Sequence, residues 1–437
     1  MNLRSLGLRK IPIASRFKGW VGRTALGSMI TVGTLLAAVS VSAQVASEGA
    51  ALSMDQAIQL TLEQHPQLDV YLHRRNAYVG MVEQAGVGDR PTMGLMVEDF
   101  AGQEDRSNFD SAQSTLSINW VMQGGRIESR VKAAQAASDQ VDIQREIEAL
   151  DLSAQTARLF VQAVAEEQRL ALAREAVNQA EASVAAIGER VEAGSSPEFE
   201  RLQAEVETAQ RELEAEDIQH GLGAARHKLS AQWGGGRSAN LLIGDLSRIP
   251  TLEDVDGQFD LLKQNPALVL LATQKRIAES EIELARIEAK PQWQFSLGVR
   301  RYESTDDYGL VAGVSVPLGT DRKSTGRVKS LQAKQAEYAA ESEVILRRLD
   351  AQLFVLLQEI NHSRHVIATL KGRVIPALDS AQSQATRAYE TGQLGYQQWI
   401  ALVNKKLGAQ QDLLNAYESI HLQHIELQRL TGTTLTF

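Results

Sequence analysis

The chain has 437 residues, of which 43% are apolar and 23% are charged, and this is the composition of a folded protein. It contains no cysteine, which excludes a disulfide scaffold, cysteine-ligated zinc, a thiol nucleophile and a lipid anchor on an N-terminal cysteine. The formal net charge of -9 argues against a protein that coats nucleic acid. Only 5% of the residues are aromatic and only nine are proline, which favours a mainly helical fold.

Residues 1–43 have the three parts of a secretory signal peptide. Six basic residues and no acidic residue are accompanied by an apolar run from about Ala25 to Val41, and Ser42 and Ala43 follow. We expect cleavage after Ala43, which removes six positive charges and takes the formal net charge from -9 to -15. The alternative is an uncleaved N-terminal anchor, because the run is nearly long enough to span a membrane. No later stretch resembles a membrane-spanning helix, so the sequence predicts an exported protein.

The sequence repeats itself at an offset of about 200 residues. The matching segments, in chain order, are Gln64-His65-Pro66 with Gln264-Asn265-Pro266, Arg130-Val131-Lys132 with Arg327-Val328-Lys329, and Glu192-Ala193-Gly194 with Glu390-Thr391-Gly392. Because the offsets of 200, 197 and 198 residues occur in the same order, we interpret them as a tandem duplication. The first repeat is predicted to span residues 44–250 and the second residues 251–437.

Alternation of apolar and polar residues predicts two strands in each repeat, at about 92–100 and 114–121 and at about 292–301 and 309–317. In the third strand, for example, Trp293 and Phe295 alternate with Gln294 and Ser296. Strands of about 9–11 residues with one apolar face suit the wall of a transmembrane barrel. A soluble sheet with one buried face fits this pattern equally well.

Long helices separate the strand pairs. There is no proline between residues 126 and 193, and a heptad seam runs through Ile143, Ile147, Leu150, Ala154, Ala157, Val161 and Val164. A helix of this extent would be about 100 Å long. The chain is predicted to turn at Gly194 in the first repeat and at Gly392 in the second. Gly372 and Pro376 should bend or split the long helix of the second repeat. Each repeat is therefore predicted to be a long helical hairpin with a strand pair at its far end.

The number of strands predicts an assembly if the strands lie in a membrane. Four strands cannot close a barrel, and open edges are not tolerated in lipid. Two copies would supply eight strands, which leave an interior filled by side chains, whereas three copies would supply twelve, which leave a passage.

The chain resembles the TolC-like outer-membrane efflux proteins over residues 52–434. The resemblance rests on the opening from Met54-Asp55-Gln56-Ala57-Ile58 to Gln64-His65-Pro66, and on the first turn, Arg190-Val191-Glu192-Ala193-Gly194 with Leu202-Gln203-Ala204-Glu205. The second strand pair, Gly298-Val299-Arg300-Arg301 and Val311 to Leu318, followed by Arg322 and Gly326, is similar to the heavy-metal (cobalt-zinc-cadmium, CzcC-type) branch.

This resemblance implies a mainly α fold with a small β part, in which a homotrimer forms a twelve-stranded outer-membrane β-barrel on a periplasmic α-helical tunnel. It also implies docking to a periplasmic membrane-fusion adaptor and an inner-membrane proton-driven pump of the resistance-nodulation-division type. The duct would passively conduct divalent cations such as cobalt, zinc, cadmium or nickel, without a cofactor and without nucleic acid. The alternatives are a periplasmic coiled-coil scaffold or adaptor, and an outer-membrane duct for drug efflux or type I protein secretion.

The two helical turns are the strongest candidate sites. In the family the turns form the entrance and meet the adaptor, and the matching residues here are Gly194, Ser195, Ser196, Gly392, Gln393 and Leu394. Plain turn chemistry would also explain the glycines. Relatives can close the entrance with acidic residues after the second turn, where this chain has Gln398 and Ala401. Gln398 and the two carboxylates after the first turn, Glu198 and Glu200, are therefore the candidates for lining the entrance.

Four histidines give a second, sharper hypothesis. His365 and His421 each lie 28 residues from Gln393, and His362 and His424 each lie 31 residues from it. In an antiparallel hairpin these residues should lie at one height, where neutral imidazoles could hold a transient metal ion on the tunnel wall. The alternative is four polar residues on a hydrated helix face.

No catalytic motif is present in the sequence. Gly234-Gly235-Gly236 is not followed by Lys and Ser or Thr, so it is not a phosphate-binding loop. We therefore expect that the protein is not an enzyme.

Overall fold

The computed structural model describes residues 51–106, 109–235, 241–251, 255–318 and 322–433. The predicted signal peptide, residues 1–43, lies outside the described residues, as does the expected cleavage site. Among the described residues, no helix combines the length and the apolar composition needed to span a membrane.

The described residues form helices joined to one small sheet. The helices are α1 (Met54–Gln64), α2 (Pro66–Ala85), α3 (Arg126–Glu192), α4 (Glu198–Ser230), α5 (Val255–Leu261), α6 (Pro266–Glu288), α7 (Arg322–Thr369), α8 (Ile375–Glu390) and α9 (Tyr396–Thr431). The strands are β1 (Thr92–Glu98), β2 (Gln113–Met122), β3 (Trp293–Tyr302) and β4 (Asp307–Ser315). Every strand end lies within about two residues of its predicted position.

Helices α2 and α6 begin in the same way, at positions 200 residues apart. His65 caps α2 because its Nδ1 accepts a hydrogen bond from the backbone N–H two residues later, at 3.2 Å. Asn265 caps α6 through the equivalent bond to its Oδ1, at 2.9 Å. A proline occupies the first helical position in both cases, where no backbone N–H is needed. The two helices therefore start with the same capping geometry.

The two helical turns also share their backbone geometry. Gly194 and Gly392 adopt φ angles of 71° and 75°, which favour glycine. After Gly194, the N–H groups of the next two residues donate to the carbonyl oxygen of Arg190, at 2.8 and 3.2 Å. After Gly392, the equivalent two groups donate to the carbonyl oxygen of Ala388, at 2.8 and 3.1 Å. The same turn is thus made twice, 198 residues apart.

Helix α3 has 67 residues, which corresponds to about 100 Å. The predicted seam is buried along its second half, where Ala154, Ala157, Val161 and Val164 are at most 2% exposed. These small side chains allow close packing, and the main hydrophobic core surrounds them with residues of α1, α7 and α9, including Leu353.

The second long helix is interrupted where the sequence predicts it. Residues Leu370–Val374 form a π-helical turn between α7 and α8. Pro376 lies in the first turn of α8 and has no backbone N–H to donate to the carbonyl four residues earlier. The wider π turn accommodates this missing bond and lets the chain continue as a helix.

Helices α2, α3, α6 and α7 lie side by side in the same left-to-right sequence as the strands to which they are connected. Helix α2 packs on α3, α3 on α6, and α6 on α7. The sheet order is β1-β2-β3-β4, with all neighbours antiparallel. Helix α2 leads into β1, β2 into α3, α6 into β3 and β4 into α7. The layer formed by these four helices, which we call the helical layer, therefore has α2 at the edge that continues into β1 and α7 at the edge that continues from β4. Among the described residues, no element pairs with the outer side of β1 or of β4.

Candidate functional site

One face of the sheet is apolar and uncovered. The register places the apolar residues of neighbouring strands side by side, as with Leu116 and Val299 or Ile118 and Leu297. The large apolar and aromatic side chains of this apolar sheet face that are between 41% and 83% exposed are Met93, Leu95, Leu116, Ile118, Trp120, Met122, Trp293, Leu297, Val299, Tyr308, Leu310 and Val314. A contiguous apolar surface of this extent is typical of contact with lipid or with another protein.

The opposite face of the sheet carries a polar network centred on Arg300. Its guanidinium group donates to Thr115 Oγ1 at 2.9 Å, to Gln113 Oε1 at 3.0 Å and to Glu98 Oε2 at 2.9 Å. These partners lie on β1 and β2, whereas Arg300 lies on β3, so the Arg300 network joins three strands. The side chain of Arg300 is 23% exposed and that of Glu98 is 43% exposed.

The Arg300 network lies at the end of the sheet that is remote from the long helices. Glu98 is the last residue of β1 and Gln113 is the first residue of β2. The loop between them is held by an ion pair between Asp99 and Arg106 at 2.9 Å, and Gln113 also donates to Asp99 at 2.9 Å. This end of the sheet is therefore ordered by charged and polar side chains.

The two helical turns lie at the other extreme, at the ends of α3 and α8 that point away from the sheet. Gly194, Ser195, Gly392 and Gln393 are exposed, and Ser196 and Leu394 are half-buried. The structure thus presents the predicted turn residues together at one end of the helices.

Arg190 connects the first turn to the second. Its Nη1 donates to the carbonyl oxygens of Tyr389 and Glu390, at 2.9 and 3.3 Å, and its Nε donates to Ser196 Oγ at 3.1 Å. The guanidinium carbon lies 4.7 Å from the centre of the Tyr389 ring, which is a cation–π contact. The sequence analysis did not identify this role of Arg190. The signal that could have found it is a cation in the last turn of α3, opposite the carbonyls that end α8.

An aromatic cluster of Tyr389, Tyr396 and Trp399 packs next to this contact. The rings of Tyr389 and Trp399 stack with their centres 5.3 Å apart, and the ring of Tyr396 lies 5.9 Å from that of Trp399. Burial, with a smaller contribution from the nearby Glu207 carboxylate, raises the pKa of Tyr396 to about 12. The cluster packs on Ile187, which is fully buried, and so fixes the second turn against α3.

The three candidates for lining the entrance have different surroundings. Glu198 forms an ion pair with Arg201, and this hydrogen bond lowers the pKa of the carboxyl group. Glu200 is half-buried. Gln398 is exposed, and its Oε1 accepts a hydrogen bond from the N–H of Gly395 at 3.4 Å, at the start of α9. Glu198 therefore shares the charge of Arg201 with Glu205.

The four histidines lie at the predicted height but face different surroundings. Ser363 Oγ donates to Gln423 Oε1 at 3.0 Å, and both residues are 30 residues from Gln393, so α7 and α9 pair as counted from the turn. On α9, His421 is 3% exposed, and its Nε2 lies 3.0 Å from the carbonyl oxygen of Leu246.

On α7, by contrast, His362 and His365 are exposed. His424 is half-buried, and burial lowers its pKa, with His421 adding a smaller effect in the same direction. In the part of the chain that the structure describes, no three His, Asp or Glu side chains are placed to hold one metal ion. His421 thus lies against Leu246, whereas His362 and His365 are exposed, and a metal site shared by all four histidines stays a prediction.

Comparisons with known proteins agree with this architecture. The family model described as outer membrane efflux protein matches residues 57–235. The cobalt-zinc-cadmium resistance protein CzcC of Cupriavidus metallidurans is 26% identical over 360 residues, which cover 79% of this chain and 81% of that protein.

Two solved structures show the fold. The outer membrane protein VceC of Vibrio cholerae superposes with a TM-score of 0.69 at 17% identity, covering 87% of this chain and 96% of that one. The open MtrE outer membrane channel of Neisseria gonorrhoeae gives a TM-score of 0.68 at 15% identity, covering 87% and 89%.

The fold is thus that of outer-membrane channels. The resemblance to the TolC-like outer-membrane efflux proteins, and to their cobalt-zinc-cadmium branch, is confirmed.

Proposed function

We propose that this chain is the outer-membrane channel component of a tripartite efflux system of the resistance-nodulation-division type. It passively conducts divalent heavy-metal cations, such as cobalt, zinc, cadmium or nickel, to the exterior. The observation that carries this proposal is the apolar sheet face, which is exposed on strands whose two outer edges pair with no other described residues. Lipid would cover the face, and further copies of the chain would pair the edges.

The helical layer supports closure by further copies. Exposed apolar side chains occur on both of its outer helices, for example Val79 and Met81 on α2 and Phe354 and Val355 on α7. Because these two edges differ from each other, contact between copies would be head-to-tail and would generate a ring. Three copies would give twelve strands, enough to leave a passage, above a tunnel of long helices.

The tandem duplication explains how one chain supplies two helical hairpins and four strands to the proposed barrel and tunnel. The helix starts at His65 and Asn265 and the turns at Gly194 and Gly392 are equivalent in sequence order and in hydrogen bonding. Two repeats, residues 44–250 and 251–437, would each contribute one helical hairpin and two strands. After removal of the signal peptide, the chain would reach the outer membrane with its helices in the periplasm.

The partners follow from the position of the turns. The exposed turn residues, around Gly194 and Gly392, would meet the helical tips of a periplasmic membrane-fusion adaptor, and Glu198, Glu200 and Gln398 would line the entrance beside them. A proton-driven pump in the inner membrane would supply the energy, since no site in the sequence resembles one that hydrolyses a nucleotide. The resemblance to a cobalt-zinc-cadmium resistance protein supports metal cations as the substrate.

A deletion strain tests this function. We expect deletion to increase sensitivity to cobalt, zinc, cadmium or nickel and to leave sensitivity to organic drugs unchanged, and the wild-type gene on a plasmid should restore resistance. Sensitivity to drugs alone would instead assign the duct to drug efflux. Recovery of the mature chain as a soluble periplasmic monomer would contradict an outer-membrane channel and favour a scaffold or adaptor.

A further inference from the structure

We propose that Arg300 is a specificity-determining residue of the passage, because its pairing with Glu98 sets the charge of the wall at the outer end of the sheet. This inference rests on the proposed function. If the apolar sheet face contacts lipid, the opposite face, which carries the Arg300 network, lines the passage. The loops that follow β1 and β3 then lie at the exterior, and ions leaving the duct pass the Arg300 network last.

Few charges lie on this face of the strands. Pairing across the sheet assigns Glu98, Arg300 and Asp307 to it, and the other residues on this face of the strands are uncharged. Asp307 is the first residue of β4 and lies beside the connecting turn. Arg300 is thus the one cation on this face of the four strands, all of which the structure describes.

The geometry fixes this cation in place. Three hydrogen bonds of 2.9–3.0 Å hold the guanidinium group across β1, β2 and β3. A charged group held rigidly in a confined wall acts on every ion that passes, and each copy in a ring repeats it. In the native chain the Glu98 carboxylate is compensated by Arg300, so the pair adds no net charge to the wall that ions pass.

Removing Arg300 and removing Glu98 should therefore shift the ion selectivity of the passage in opposite directions. Arg300→Gln would leave the Glu98 carboxylate unpaired and shift the passage toward cations. Glu98→Gln would leave the guanidinium unpaired and shift it toward anions. The double variant would return the selectivity close to that of the native protein. A role limited to holding the strands together predicts a loss of stability, with no such opposite shifts.

The experiment is the reversal potential of the purified full-length protein in planar lipid bilayers across a potassium chloride gradient. We expect the ratio of cation to anion permeability to rise by about twofold or more in Arg300→Gln and to fall by a similar factor in Glu98→Gln. Arg301→Gln is the matched control, because Arg301 lies on the apolar sheet face and pairs with Glu303 and Asp306, each at 3.2 Å. It should leave the reversal potential unchanged.

The outcomes separate the two proposals. Conducting channels whose reversal potential is unchanged, or shifts in the same direction in both variants, would overturn the role of Arg300 and leave the channel function intact. A native protein that conducts no ions would overturn the channel function and this inference with it. If Arg300→Gln does not fold, Glu98→Gln alone decides, because a pair that sets the charge of the wall predicts its shift toward anions, whereas a role limited to holding the strands together predicts no shift.

Discussion

The side chain of Arg190 lies over the ring of Tyr389 and also donates a hydrogen bond to the carbonyl oxygen of the same residue, at 2.9 Å. The two residues are 199 positions apart and belong to different helical hairpins. This contact joins the two turns of one chain, beside the packing of Tyr389 and Tyr396 on Ile187. A turn that separates from the other must first break it.

We therefore expect Arg190→Ala to loosen the second turn. The loss of the cation–π contact and of the hydrogen bonds to the end of α8 should cost about 1–3 kcal/mol of local stability. Amide hydrogen exchange should become faster around residues 386–399 and remain unchanged in the middle of α3. Arg174→Ala is the matched control, because Arg174 is also on α3 and makes a bond of 3.3 Å to Gln219. Equal exchange rates in both variants would show that Arg190 does not hold the turns together.

The exposed position of Leu297 predicts a second result. In a soluble sheet, a lysine at this 53% exposed position would cost little, whereas in lipid it would be costly. We expect Leu297→Lys to lower the free energy of unfolding in lipid by about 2–4 kcal/mol and to reduce the amount of protein in the outer membrane. Gln294→Lys, on the opposite face of the same strand, should be tolerated. Similar yields for the two variants would argue against contact with lipid.

The free edges of the sheet predict cross-links between copies. The chain has no cysteine, so cysteines introduced at Leu95 on β1 and Ala312 on β4 would be its only thiols. We expect a short thiol cross-linker to produce covalent dimers and trimers and no larger species in the double variant Leu95→Cys/Ala312→Cys. Each single variant is a control and should stay monomeric on a denaturing gel. A double variant that also stays monomeric would contradict pairing of β1 with β4 of another copy.

The burial of His421 predicts a dependence of stability on pH. Burial lowers the pKa of this imidazole, although its hydrogen bond to Leu246 and the charge of Asp245 act in the opposite direction. The folded chain thus prefers the neutral form, while the unfolded chain takes up a proton near its ordinary pKa of about 6.5. The stability from this group is complete above that pH and is lost as the pH falls below it.

We expect the melting temperature to decrease between about pH 7.5 and pH 5.5, and His421→Gln to make this decrease smaller. His424, whose pKa burial also lowers and which lies near the charge of Arg364, should account for part of what remains. His365→Gln, at an exposed position, should behave as the native protein does. A decrease of equal size in the native protein and in His421→Gln would contradict this role of His421.

Local patterns in the sequence were sufficient for the elements themselves. Alternation located the strands, and the glycines located both turns, because these signals depend on neighbouring residues alone. The common height of His365 and His421 was predicted by counting from the turn, since both arms of a hairpin rise equally from it, and the hydrogen bond between Ser363 and Gln423 agrees with that count.

The contacts between the two halves of the chain could not be predicted in the same way. Arg300 and Glu98 are 202 residues apart, and the sequence does not show that β2 and β3 are neighbours. The different surroundings of the four histidines have a similar cause. The direction in which His421 points is set by its packing on residues 241–251, which is a tertiary contact and leaves no trace in the spacing.

The two different edges of the wall have a genetic consequence. In the proposed ring, each copy would touch one neighbour through α2 and β1 and the other neighbour through α7 and β4. A copy damaged at one edge alone would still join through its intact edge and prevent the ring from closing. Such alleles should be dominant in cells that also carry the native gene, whereas alleles that destroy folding altogether should be recessive.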